Sequence, residues 1–457
     1  MTAAPHLVVV GGGLAGLSAA LRAARAGMRV TLLERRPFLG GRAYSFTHGP
    51  TGDVLDNGPH AFMGAYTSWL EFSRDIGASD AIAFQPRLHV PMAHAVDGTS
   101  AVAAPAAPGA LQAPMGLLRY GLLSRADRWR LLAGAVRLVA RPPSVLDGTT
   151  VACALADAGQ SAVIRRRFWD PLVMATLNEV PERAAARPLA AVLRRGFLSG
   201  ARAARFGFAR VPLGEALARP ARIAIERAGG LVRTGATVAA LEVENDRVSG
   251  VVLRDGWRLA ADAVVLALPL AALLPVLPPA MRAERGFTNL ATATTSPIVS
   301  VHLWLDRNLP VGAPEAGAPF VGLLETTTQW LFDGGSSVSG GRRVATVTSG
   351  ARAWDDVADD VIVSQVLTDV RRTLPAFANV GCLRSHVVRE RHATLSITPE
   401  VDRLRPAQAT SLPNLVLAGD WVQTGLPATI EGAVVSGVRA AEMVGRVARG
   451  GTTLVAA

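Results

Sequence analysis

Leu7-Val8-Val9-Val10-Gly11-Gly12-Gly13-Leu14-Ala15-Gly16, running on through the alanine-rich Leu17–Ala26 and Gly27 to Met28-Arg29-Val30-Thr31-Leu32-Leu33-Glu34, is the stretch that decides the fold. A short apolar run meets a glycine cluster, the cluster opens a helical run, and a second apolar run ends in an acid. Within G-x-G-x-x-G, Gly11 permits the tight turn, Gly13 lets backbone approach a pyrophosphate, and Gly16 lets the helix sit against the strand. The helix start, with Leu14 and Ala15, offers free N–H groups and partial positive charge to phosphates. Glu34, followed by Arg35, stands where a carboxylate accepts both ribose hydroxyls, and an acid there disfavours a 2′-phosphate. The reading is a Rossmann-type βαβ unit that binds a dinucleotide. A glycine turn serving packing alone explains neither the paired strands nor Glu34.

Outward from this unit, 457 residues exceed what one hydrophobic core usually serves, so two interleaved units are expected. No uninterrupted apolar stretch reaches 18 residues, which argues against a spanning helix. The formal charge is +11 and all 47 basic residues are arginine, dispersed along the chain with Arg165–Arg167 the densest run. No aromatic-interleaved basic tract accompanies them, which argues against nucleic acid as a partner and leaves an anionic lipid surface as the better match. Cys153 and Cys382 have neither disulfide-framework nor metal-ligand spacing, so no metal site is expected and a reducing cytoplasm fits.

Residues 101–108 read as an Ala/Pro loop. Ser124–Ala140 reads as a helix capped by Ser124, with Trp129, Leu131, Leu132, Val136, Leu138 and Val139 as its apolar face. The arginines around it also allow the segment from Met115 to Arg141 to lie at a membrane interface, against the plainer reading of a surface helix on a core. Leu231–Val243, Val248–Leu253 and Ala263–Leu268 read as a three-strand meander turning at Asn245-Asp246. Residues 291–350 suggest a second sheet, Val357–Thr373 a helix, and Leu415–Ala418 a short strand before a small-residue helix over Glu431–Val447.

Further motifs give the chain a family likeness. Leu39-Gly40-Gly41-Arg42 follows Glu34, and Ala418-Gly419-Asp420 near the other end precedes Glu431-Gly432-Ala433 and Ser436-Gly437. With the glycine cluster these resemble the flavin amine oxidase and phytoene desaturase superfamily over nearly the whole chain. The resemblance implies FAD, with Gly41 and Arg42 by the pyrophosphate, Asp420 after Gly419 near the ribitol–phosphate, and the backbone of Ile430, Gly432 and Ala433 facing the flavin edge. It also implies that Val238 backbone contacts adenine and that Gly58 lies in a segment passing the isoalloxazine. The implied fold is α/β: a Rossmann-type FAD-binding domain (1–80, 207–270 and 386–457) with an interleaved α+β substrate domain (81–206, largely helical, and 271–385, sheet plus helices).

Amine oxidases of this superfamily generally use a lysine near the flavin and an aromatic near the terminal helix. This chain has no lysine and carries Thr429 in the aromatic's place, so a large apolar substrate is the better match. The segments Asp56-Asn57-Gly58-Pro59-His60, Phe168-Trp169-Asp170-Pro171-Leu172 and Gly419-Asp420-Trp421 through Ala433 look like the hydroxysqualene dehydroxylases, desaturase-like bacterial flavoproteins. That resemblance implies reduction of the allylic alcohol hydroxysqualene to squalene for hopanoid synthesis. On that reading an acid would protonate the hydroxyl, water would depart to give an allylic cation, and flavin N5, when reduced, would supply the hydride.

Two side chains are candidates for the acid. Asp170 qualifies if burial beside Trp169 keeps it protonated, against an ion pair with the neighbouring arginines. His60 qualifies against a purely structural bond to backbone. Phe168, Trp169 and Trp421 could line the substrate path, against plain core packing. No second dinucleotide fingerprint points to the electron donor. Oxidative desaturation or isomerisation of a carotenoid-type polyene is the nearest rival, and a non-catalytic flavin or lipid carrier a rival of another class. The cytoplasm, or the inner face of its membrane, is the expected location.

Overall fold

The computed structural model describes residues 4–105, 111–197, 199–338 and 340–448. Its centre is a parallel sheet in the order Leu231–Thr234, Arg29–Glu34, His6–Val10, Ala263–Leu266, Leu415–Leu417. His6–Val10 is buried along its whole length, as a strand covered on both faces must be. Helices Leu14–Arg25 and Ile430–Ala448 pack on one face and on each other. They come so close that a Cβ on Gly437 would stand 2.1 Å from the Ala15 carbonyl oxygen, which accounts for the small residues at Ser436-Gly437.

The expected meander needs correction. Leu231–Thr234 and Ala263–Leu266 join the parallel sheet, and the meander is Val238–Glu244, Arg247–Leu253 and Arg258–Ala260. Its hairpin does turn at Asn245 and Asp246, both with positive φ, as a two-residue turn requires. Apolar runs of four residues look alike in sequence whether their partners are parallel or antiparallel.

The second sheet has seven strands in the order Cys382–Leu395, Thr295–Leu305, Arg342–Ser349, Trp330–Ser336, Phe320–Leu323, His89–His94, Gly98–Ala103. The boundary expected at 385/386 therefore falls inside a strand. The loop expected over 101–108 is, through Ala103, the edge strand Gly98–Ala103 paired with His89–His94; residues 106–110 lie outside the described residues. A cross-strand partner there overrides an Ala/Pro composition. Val299, Val301, Leu303 and Leu305 pack toward helix Asp359–Thr373. The alternate residues Ser300, His302 and Trp304 face the segment 53–58.

Asp53 ties that segment down. Its carboxylate accepts hydrogen bonds from Trp304 Nε1 (2.8 Å), Ser337 Oγ (2.7 Å) and Val338 N (2.9 Å). Burial would raise its pKa, but these bonds hold it down to about 2. A depressed carboxylate contributes stability above its unfolded pKa and loses it as pH falls through the folded value. Asp53→Asn is expected to cost about 2 kcal/mol at pH 7, with the gap to the parent protein closing between about pH 4 and 2. Urea unfolding across that range measures it.

The residues between the sheet strands form a helical unit. Helix Arg125–Ala140 is capped by Ser124, whose Oγ accepts from Asp127 N at 3.1 Å. Its expected apolar face splits: Leu131 and Leu138 are buried and Leu132 and Val139 partly so, whereas Trp129 and Val136 point to solvent.

Candidate active site

The glycine loop is built as a phosphate cradle. Gly11 has φ +110°, and a Cβ there would lie 2.4 Å from the Ala267 carbonyl oxygen. A Cβ on Gly16 would lie 1.9 Å from the Gly11 carbonyl oxygen, so the helix touches the turn through bare backbone. At Gly13 the space is open, the nearest atom to such a Cβ being Gly41 Cα at 3.8 Å. Helix Leu14–Arg25 starts with no side-chain cap and no acid in its first turn, which leaves its N–H groups and dipole available to an anion. Gly40 N donates to Gly12 O at 2.8 Å, so the L-G-G-R turn is bonded to the cradle.

Glu34 takes Gly12 N (2.6 Å) on Oε2 and Arg36 N (2.8 Å) on Oε1, which leaves each oxygen a further acceptor site for ribose hydroxyls. Ala236 N donates to Glu34 O, which brings the start of the strand Val238–Glu244 close to Glu34. Arg35 is exposed; Arg36 instead turns inward, over the rings of Phe38 and Tyr44. The open helix start, the side-chain-free floor and the carboxylate fit a dinucleotide such as FAD.

At the other end of the cradle, Arg42 Nη2 donates to Asp420 Oδ1 at 2.6 Å and Nη1 to Ala393 O at 2.6 Å. Burial would lower the Arg42 pKa, but the Asp420 carboxylate raises it, so the guanidinium stays charged. Gly419, with φ +145°, lies against Trp421, and its N–H donates to Ser436 Oγ at 2.8 Å. Sequence reading missed what holds this loop. Arg405, almost wholly buried, donates to the carbonyls of Asp420 (2.9 Å), Trp421 (3.2 Å), Val422 (2.6 Å) and Leu426 (2.6 Å). Asp402 Oδ1 lies 3.6 Å from Arg405, and Asp402 Oδ2 accepts from Arg187 at 2.8 Å. Glu431, in the first turn of the terminal helix, caps a different helix, Thr67–Asp75, accepting from Ser68 N and Trp69 N at 3.1 and 2.9 Å. Ile430 and Ala433 stay half-buried at the start of the terminal helix.

His60 is half-buried, and its Nδ1 donates to Gly58 O at 2.8 Å. That fixes the tautomer and leaves Nε2 without a partner among the described residues. Burial lowers its pKa, while the Gly58 carbonyl and the charges of Asp56 and Glu390 pull the other way. Burial pushes the Asp56 carboxyl up against its bonds from Ser45 and Leu213. Gly58 is needed for close approach to the second sheet, since a Cβ would meet Ser300 Oγ at 2.5 Å. His302, from the same sheet, donates to Asp56 O, and burial takes its pKa down to about 4. Tyr44 donates to Glu390 Oε1 at 3.1 Å, the carboxylate whose charge acts on His60.

Asp170 is in other company. It lies 3.8 Å from Arg165 Nε, too far for a hydrogen bond, and Arg165 is itself paired with Glu182. Burial raises the Asp170 pKa and Arg165 opposes it. It shares no partner with His60. Trp169 is fully buried in the helical core, its indole N–H donating to Gln160 at 2.7 Å, with the partly buried Phe168 edge-on to it. Trp421 is buried beneath the parallel sheet and donates to Leu268 O at 2.9 Å. Both indoles are packing residues with their polar atoms committed. The rings that do gather are Phe206, Phe208, Phe320, Trp330 and Phe332, on the strands Phe206–Ala209, Phe320–Leu323 and Trp330–Ser336, with centroids 5.1 to 6.5 Å apart. Phe208 pairs with Ala61, the residue after His60, and all but Phe320 are half-buried. No motif marks them, because they come from strands that meet only in the folded chain.

The sequence profile of the flavin containing amine oxidoreductases matches residues 14–445. The chain belongs to that family. Its members are FAD-dependent oxidoreductases, and this chain's glycine cradle, Glu34 and the Arg42–Asp420 pair are the parts that suit FAD. The chain is 32% identical to the hydroxysqualene dehydroxylase of Rhodopseudomonas palustris, over 95% of this chain and 97% of that one. It is 25% identical to the chloroplastic 15-cis-phytoene desaturase of an Oncidium hybrid, over 96% of this chain and 77% of that one. An oxidoreductase structure from Methanosarcina mazei shares the fold with a TM-score of 0.71, at 18% identity, covering 96% and 100% of the two chains.

Proposed function

We propose that this flavoenzyme of the cytoplasm reduces hydroxysqualene to squalene and so feeds hopanoid synthesis. The observation that carries the reading is the cluster of five aromatic rings, one of whose strands, Phe206–Ala209, pairs with Ala61–Met63 directly after His60. Such a cluster accepts a long isoprenoid, and its ring faces stabilise an allylic cation as the C–O bond breaks. The relation to hydroxysqualene dehydroxylases and the lack of any lysine support it. Bound reduced FAD supplies the hydride that replaces the departing water.

The chain's own part is the proton and the dry, oriented site. With Nδ1 committed to Gly58, His60 holds its transferable proton on Nε2, and burial makes the protonated ring a stronger acid. Asp56 and Glu390 keep that protonated form accessible by charge. Asp170 is the alternative donor, in a helical unit whose core the rings of Phe206 and Trp330 also touch.

Anaerobic incubation of the reduced holoenzyme with hydroxysqualene tests the reading, with flavin oxidation and squalene followed together. Squalene formed in step with flavin oxidation supports it. No squalene, with the oxidised enzyme instead bleached by a phytoene-like polyene, would replace it by the desaturase reading that the phytoene desaturase likeness favours. Silence in both assays would leave a carrier. His60→Ala is expected to lower kcat about a hundredfold with FAD content unchanged, and wild-type kcat to fall as pH rises through the His60 pKa while the residual activity of the variant does not.

A further inference from the structure

Helix Arg125–Ala140 buries Leu131, Gly134 and Leu138, and on its opposite side Ala126, Trp129, Ala133, Val136 and Ala140 are all exposed. Their spacing of three and four residues makes one continuous apolar stripe along the helix. Trp129 is 63% and Val136 60% exposed, and unlike a singly exposed residue such as Trp257 they lie on one contiguous stripe, the arrangement that marks an interaction surface. Pro142, Pro143 and Val145 continue the exposed apolar surface past the helix end. Arginines border the stripe: Arg119, Arg125, Arg130 and Arg137 are exposed, and the acid among them, Asp127, is already held by Ser124 and Arg130.

We propose that this face seats the protein on an anionic lipid bilayer, with the stripe in the headgroup–acyl boundary and the arginines at the lipid phosphates. Charge decides the occupant. A second copy docked on the same face would bring the two arginine borders together, and like charges across an interface repel. An interfacial helix needs no shape-matched partner: the indole and valine enter the boundary while guanidinium groups reach the phosphates. The net charge of +11 adds long-range attraction to such a surface.

Flotation of the full-length holoenzyme with vesicles tests this independently of the substrate. Binding to phosphatidylglycerol-containing vesicles is expected to exceed binding to pure phosphatidylcholine by about tenfold or more, and to weaken as salt is added. The double variant Trp129→Ser/Val136→Ser is expected to lose about tenfold, and because both side chains are exposed it keeps its fold and its FAD. Trp257→Ser removes an equally open indole on the meander, beside Arg233, and should leave binding unchanged. Equal binding of the double variant and the parent, or no preference for anionic vesicles, overturns the proposal. So does sedimentation showing a dimer that the double variant abolishes while vesicle binding persists, because the stripe is then a self-contact.

Discussion

Gly13→Val is expected to abolish FAD binding while the chain stays folded. Gly13 has φ −77° and ψ 176°, a conformation open to any residue, and a Cβ there has no neighbour nearer than 3.8 Å. The side chain would project over the start of helix Leu14–Arg25, where the pyrophosphate must approach backbone N–H groups. Stability should change by about 1 kcal/mol, the cost of valine in place of glycine before a helix, while FAD affinity falls at least about a hundredfold. Gly16→Val makes the opposite case, because its Cβ would lie 1.9 Å from the Gly11 carbonyl oxygen. It is expected to cost more than about 4 kcal/mol and to yield little folded protein. Flavin absorbance of the purified variants, titration of apoprotein with FAD and urea unfolding separate the two. A Gly13→Val protein that retains FAD would mean that the cofactor does not use this cradle.

Arg405→Ala is expected to be the most damaging substitution outside the glycine loop. It strips four backbone carbonyls of residues 420–426 of their donor in a buried place and leaves Asp402 with Arg187 alone. Breaking such an arrangement from one side costs about 3–5 kcal/mol. Because the freed loop carries Asp420, the partner of Arg42, FAD should also bind more weakly. Arg403→Ala, two residues away, removes a half-exposed arginine paired with Asp147 and should stay within about 0.5 kcal/mol of the parent. Denaturant unfolding with flavin fluorescence as a second probe reads both. Equal effects at 403 and 405 would show that the loop stands without its buried arginine.

These two experiments probe different kinds of information in the chain. The cradle is written locally: turn, glycine spacing, helix start and Glu34 lie within residues 7–34, where hydrophobic period and backbone stereochemistry act over a few residues. The loop anchor is not. Arg405 is one of 47 arginines, and nothing in its neighbourhood distinguishes it from exposed Arg403.

By itself, therefore, the sequence determined the dinucleotide unit, the FAD family and the identity of both members of the Arg42–Asp420 pair. Tertiary structure decided that these two, 378 residues apart, meet at 2.6 Å. It also decided that Glu431 caps a different helix, that Trp169 and Trp421 pack in cores, and that five rings from three strands gather into one cluster. The physical reason is range. Turns, caps and amphipathic periods are fixed by neighbours along the chain, whereas burial, ion pairing and ring contacts depend on which surfaces the finished sheets bring together.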